Sequence, residues 1–144
     1  MVLTSILLFG CSKKSVLTYR EFKEKVEKEN YTIVDVKDQF KEYDYINGAY
    51  LAVGPDTNYQ IEFYTFDDEE GSKAFYKVNK DTLQSLADSE DIEKNIDKKN
   101  YSSYELTTAD KYIYIKRLDN TIVYSVNDKD YKDEIKKIIK KLGY

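Results

Sequence analysis

Apolar residues recur along this chain with two spacings, three-to-four and two, and the alternation between them divides it into elements. From Tyr19 the apolar positions Tyr19, Phe22 and Val26 fall at helical spacing. Leu17-Thr18-Tyr19-Arg20-Glu21-Phe22 reads as a helix start. Thr18 and Glu21 form a capping-box pair, and Leu17 and Phe22 stand at the two positions of a hydrophobic staple. The helix continues to about Glu29.

Residues 31–36 are rich in β-branched types and predict a strand. Asn47-Gly48 is a turn signal. Residues 49–53 predict a second strand, ended by Gly54-Pro55. In the third, at 59–66, Tyr59, Ile61 and Phe63 alternate with Gln60 and Glu62, as on a sheet with one face inward.

Asp67-Asp68-Glu69-Glu70 opens a second helix. Asp67 is the expected cap, with carboxylates at the positive end of the helix dipole. Ala74, Phe75, Val78, Leu83 and Leu86 supply its apolar face. Residues 88–100 are nearly all charged or polar and read as an exposed loop, with one helical turn near Ile92 and Ile96. Three more strands follow at 101–107, 111–118 and 121–126, the last two joined by Asp119-Asn120 as a two-residue hairpin turn. A final helix over 128–142 places Ile135, Ile138, Ile139 and Leu142 on one face. Its lysines at 136, 137, 140 and 141 complement the C-terminal dipole, and Gly143 closes it.

The predicted order is α-βββ-α-βββ-α. Strand runs joined by short turns give mostly antiparallel pairing, so the class is α+β. Helices are expected on one sheet face, leaving the other half-wet and decorated with tyrosine.

Composition narrows the chemistry. The chain has 144 residues, suited to one domain, of which 41% are hydrophobic and 35% charged. There is no histidine, which removes histidine-based acid–base catalysis and histidine-ligated zinc. There is one cysteine, so no intramolecular disulfide forms. Nothing in the sequence calls for a cofactor or a metal. Lys plus Arg total 23 against 27 Asp plus Glu, a formal charge of -4, with both signs mixed along the chain. Arg20 and Arg117 are the sole arginines. This balance argues against nucleic acid as partner.

Residues 1–10 read MVLTSILLFG, and the polar part of the chain begins at Ser12. An apolar stretch of this length has the character of an export signal and is too short to span a bilayer. Leu8-Phe9-Gly10-Cys11 resembles the lipobox of bacterial prolipoproteins. That pattern has an aliphatic residue three before the cysteine and a small residue just before it. Leu8, Gly10 and Cys11 match. Phe9 is bulkier than usual at its position, and no Lys or Arg precedes the apolar run. The resemblance covers only the first 14 or so residues. It implies diacylglycerol modification of Cys11, cleavage before it, and attachment to the outer face of the cell membrane. The expected organisation is then a signal segment 1–10, a lipidated tether 11–16 and a single domain 17–144.

The remaining motifs have bland readings beside sharper ones. The 67–70 carboxylates could collect calcium, but a capped helix start explains them. Asn127-Asp128-Lys129-Asp130 superficially suggests a calcium loop, yet lacks its central glycine and reads as the cap of the last helix. The lysine-rich last helix could touch anionic lipid or wall polymer, against a solvated face as the plain alternative. Two glycosylation-like tripeptides, at Asn30 and Asn100, read as chance. Tyr112 and Tyr114, with Tyr124 beside them, are the candidate binding face, since tyrosine is apolar at one end and polar at the other. Ordinary packing under a helix is the alternative.

The expected function is a membrane-anchored, extracytoplasmic, non-enzymatic binding or interaction module, whose partner is an extracellular protein or wall component. A carboxylate-dependent enzyme on extracellular or wall glycans is the first alternative. It needs two acidic side chains facing across a cleft. A cytosolic domain with a misread N-terminus is the second, and it predicts residues 1–10 packed into the core.

Overall fold

The computed structural model describes residues 16–144. Leu8, Phe9, Gly10 and Cys11 lie outside the described residues, as does the packing of 1–10 on which the cytosolic alternative turns. The elements are α1 (Tyr19–Glu27), β1 (Thr32–Asp35), β2 (Ile46–Val53), β3 (Gln60–Phe66), α2 (Glu69–Gln84), β4 (Ile92–Asp97), β5 (Tyr101–Thr107), β6 (Lys111–Leu118), β7 (Thr121–Asp128) and α3 (Lys132–Leu142). The strands form one sheet of order β1-β2-β3-β7-β6-β5-β4. Every neighbouring pair is antiparallel. Two meanders therefore meet where β3 pairs with β7, and α2 carries the chain from the sheet centre to its far edge.

The α+β class and antiparallel sheet agree with the sequence pattern, but the second run has four strands rather than three. The extra one is β4, where a loop with a helical turn was expected. It bonds on one side only, to β5, and all six of its residues are exposed. An edge strand with no buried face shows no alternation to read. Ile92 and Ile96, four residues apart, share a side in a strand as well as in a helix.

Asn47-Gly48 is likewise not a turn but lies inside β2, at a bulge between the pairs Ile46↔Phe66 and Gly48↔Thr65. The glycine serves close approach. A Cβ there would sit 2.7 Å from the Tyr50 ring and 2.8 Å from Thr65 Oγ1. The hairpin turn at Asp119-Asn120 forms as expected, with Leu118 opposite Thr121 and Asp119 at φ 48°.

Helices cover both faces of the sheet, not one. On the first face α1 and α3 pack Phe22, Val26, Ile135 and Ile139 onto Ile61, Phe63, Tyr112 and Val123. On the second, α2 and a 3-10 turn (Lys37–Phe40) lie against Tyr64, Phe66, Tyr104, Ile113, Ile115 and Ile122. The strands show why: β3 is apolar at Ile61 and Phe63 on one parity and at Tyr64 and Phe66 on the other. A strand apolar on both parities must be covered twice.

The capping box of α1 forms. The Glu21 N–H donates to Thr18 Oγ1 at 3.2 Å and the Thr18 N–H to Glu21 Oε2 at 2.8 Å. The cap of α2 is Asp68, one residue later than expected, accepting from the Gly71 N–H at 2.8 Å. Replacing Asp68 by alanine should lower stability by about 1 kcal/mol, while Asp67→Ala should change it by a few tenths at most. The urea midpoints of the two variants check this.

The buried face of α2 is Ser72, Tyr76 and Leu83, with Phe75 packed partly against the core. Ala74, Val78 and Leu86 are exposed. Of the expected apolar face, Leu83 is buried and Phe75 partly so, and Ser72 and Tyr76 take the places of the rest. α3 buries Ile135, Ile138, Ile139 and Leu142, and Gly143 closes it at φ 93°. The helix starts at Lys132 without a side-chain cap. Asp128, expected as that cap, instead pairs with Lys111 at 2.5 Å. The Asn127 amide extends the sheet by accepting from the Gln60 N–H at 2.9 Å and donating to the Gln60 carbonyl at 2.7 Å.

Candidate functional site

The three tyrosines expected to share a face are separated by the register of the β6–β7 hairpin. With Leu118 opposite Thr121, Tyr124 falls opposite Ile115 and joins the α2 side of the sheet. Tyr112 and Tyr114 lie on the α1/α3 side. Tyr112 is wholly buried. The ammonium groups of Lys132 and Lys136, from the start of α3, stand 5.3 and 5.7 Å from its ring centre. Tyr114 is half-buried beside it. Burial, with the nearby Glu105 carboxylate, raises the pKa of both phenols. Tyr112 and Tyr114 thus share one face of the sheet, packed under α3, and Tyr124, expected beside them, packs on the other.

A sizeable concavity lies elsewhere. It is a groove of about 670 Å³ between α2 and the β4–β5 hairpin, with β6 behind it. One wall is α2, whose sequence puts Lys73, Tyr76, Lys77 and Lys80 on a single stripe at helical spacing. The opposite wall is the hairpin that carries Lys98 and Lys99. Arg117 lies behind, because on β6 it shares parity with the core residues Ile113 and Ile115.

Arg117 is only 1% exposed. Its Nη1 donates to the Asp119 carbonyl at 3.1 Å, and Nη2 donates to the carbonyls of Lys99 and Lys98 at 3.2 and 3.5 Å. The guanidinium thus ties the β4–β5 turn to the β6–β7 turn. Its Nε has no hydrogen-bond partner, and neither does the buried hydroxyl of Tyr76. All of the acceptors found are neutral carbonyls, so among the described residues no carboxylate pairs with Arg117. A buried charge without a counter-charge costs several kcal/mol.

Two carboxylates line the groove, and each is engaged. Asp81 pairs with Lys77 at 2.6 Å. Asp97 accepts from the Ser102 hydroxyl at 2.7 Å. Burial is the main cause that raises the Tyr76 phenol pKa, and the Asp97 charge adds to it while Arg117 opposes. The balance of side chains is cationic here, in a chain whose net charge is -4.

A half-buried carboxyl stands on the second face. Glu62 accepts the Tyr64 hydroxyl proton, and burial raises its pKa against that hydrogen bond. Among the described residues no group of three or more metal-type side chains could hold an ion. No helix there is long and apolar enough to cross a membrane.

Fold and groove together define an α+β domain with a doubly covered antiparallel sheet and one cation-lined groove. No protein-family model matches the chain, and no curated protein or solved structure is found similar to it.

Proposed function

We propose that the chain is a bacterial lipoprotein, held on the outer face of the cell membrane through lipid on Cys11, and that its folded domain is a non-enzymatic binding module. The observation that carries the binding reading is the cation-lined groove behind α2, whose carboxylates are already partnered. The anchoring rests on Leu8-Phe9-Gly10-Cys11 and on the placement of the single cysteine at the junction between apolar and polar sequence. Leu17 is buried and Thr18 caps α1, so the folded domain begins six residues after Cys11. A connection of that length spans at most roughly 20 Å. The domain would therefore work close to the membrane, on an extracellular protein or a wall component. Two acyl chains suffice for stable attachment of such a domain.

Separation of membrane and soluble fractions tests the anchor. The wild type is expected with the membranes, and Cys11→Ala is expected to lose that attachment while keeping its circular dichroism and thermal transition. Recovery of the wild type in the soluble cytosolic fraction would sink the proposal.

A further inference from the structure

We propose that the groove between α2 and the β4–β5 hairpin binds a chain of anionic phosphate groups, with Lys73, Lys77 and Lys80 on one wall, Lys98 and Lys99 on the other, and Arg117 as the buried charge between them. The inference deepens the reading of this groove as the domain's binding site and rests on it.

A guanidinium that is 99% shielded is normally hydrogen-bonded to a carboxylate, and that of Arg117 donates only to backbone carbonyls, with Nε unpartnered. The Glu69 carboxylate at the start of α2 lies within electrostatic reach of it but forms no ion pair with it, so the charge is offset only through space. Lys80, Lys98 and Lys99 add to it, while Lys73 and Lys77 are held in ion pairs with Glu69 and Asp81. An anion in the groove supplies the missing counter-charge, and the low dielectric behind α2 strengthens its attraction to Arg117. The Tyr76 hydroxyl, also buried and without a partner, is a second group at this site with an unmet hydrogen bond.

The spread of the charges sets the class of anion. Lys73 and Lys80 stand seven residues apart on α2, about 10 Å along the axis. The hairpin lysines lie across the groove. One small anion cannot meet all of them, whereas a ligand with several charges can. The chemistry of the donors points to phosphate. Both Nη atoms of Arg117 are already bound to carbonyls, so the planar fork that reads a carboxylate bidentately is occupied. What remains is mostly lysine, a set of mobile point charges with rotatable donors. Such a set suits the higher charge and tetrahedral oxygens of phosphate.

The test uses the full chain in a neutral detergent, titrated with short-chain polyphosphate and followed by amide chemical shifts and thermal stability. Saturable binding is expected, with shifts concentrated in α2 and the 97–102 hairpin. The melting temperature should rise with ligand, because the ligand binds only the folded state. Affinity should weaken with added salt. Lys80→Ala combined with Lys99→Ala removes two charges that stand in no ion pair among the described residues, and should weaken binding at least tenfold. Lys137→Ala combined with Lys140→Ala, on the exposed face of α3, should leave binding unchanged. Absence of saturable binding overturns the proposal, as does equal loss in both double variants. Polyglutamate binding as tightly as polyphosphate would overturn the phosphate assignment. These readouts are independent of lipid on Cys11, so failure here is distinguishable from failure of the anchor.

Discussion

Raising the pH above 10 is expected to unfold this protein within one to two pH units, with the loss of secondary structure tracking the appearance of phenolate absorbance. Tyr31, Tyr64, Tyr76, Tyr104 and Tyr112 are each at most 7% exposed. Burial is the main cause that raises each phenol pKa. Neighbouring carboxylates add to it, such as Glu62 beside Tyr64 and Glu93 beside Tyr104. Tyr124 is pushed up to about 12.

In the unfolded chain these phenols ionise near pH 10, and in the folded protein they hold their protons well beyond it. Below pH 10 both states are protonated and stability is fully present. Above it the unfolded state binds fewer protons, so stability falls as pH rises. Each such tyrosine contributes a slope of about 1.4 kcal/mol per pH unit. Five together give roughly 7 kcal/mol per unit, against a total stability of about 5–15 kcal/mol for an ordinary domain. The transition should therefore be steep and centred above pH 10. A simple titration of all tyrosines near pH 10, with the fold intact, would contradict the packing described.

Phe63→Ala is expected to cost about 3–5 kcal/mol, the range for emptying an aromatic site in a closed core. Phe63 is wholly buried at the middle of β3, and Phe22 of α1 stacks on it with ring centres 4.5 Å apart and planes at 15°. Removing it leaves a cavity and also takes away the surface on which the first helix docks. The urea midpoint should fall with little change in slope. Phe40→Ala, in the partly exposed 3-10 turn, should cost clearly less. Equal losses for the two would mean that α1 is not held through this stack.

Much of the fold was legible because each element carried a local signal. The capping box at Thr18 and Glu21, the alternation through β3 and the four-residue apolar face of α3 are short-range patterns, and the residues that write them are the residues that pack. The misses share a different cause. β4 has no buried face, so its polar sequence carried no period. Gly48 was read as a turn residue, although its lack of a side chain serves the neighbouring Tyr50. The double coverage of the sheet was present in the two apolar parities of β3 but was read on one parity only.

The candidate site was less legible, since it depends on tertiary contacts. Lysines from α2 and from a hairpin about 20 residues further on converge only once β4 pairs with β5 and α2 packs above. The available clues were the spacing of Lys73, Lys77 and Lys80, and the position of Arg117 on the same parity as Ile113 and Ile115. Counting charges over the whole chain averaged these away. The tyrosine face failed for a reason the sequence did contain. Once the turn is Asp119-Asn120, Tyr124 must fall opposite Ile115, on the other side of the sheet from Tyr114.

We propose a domain tethered outside the membrane by a lipid on Cys11. The mass of the N-terminal peptide from membrane-fractionated cells tests it most directly. The account predicts a peptide that begins at Cys11 and carries a diacylglycerol group. A peptide that begins at Met1 or Val2, with Cys11 unmodified, would contradict it.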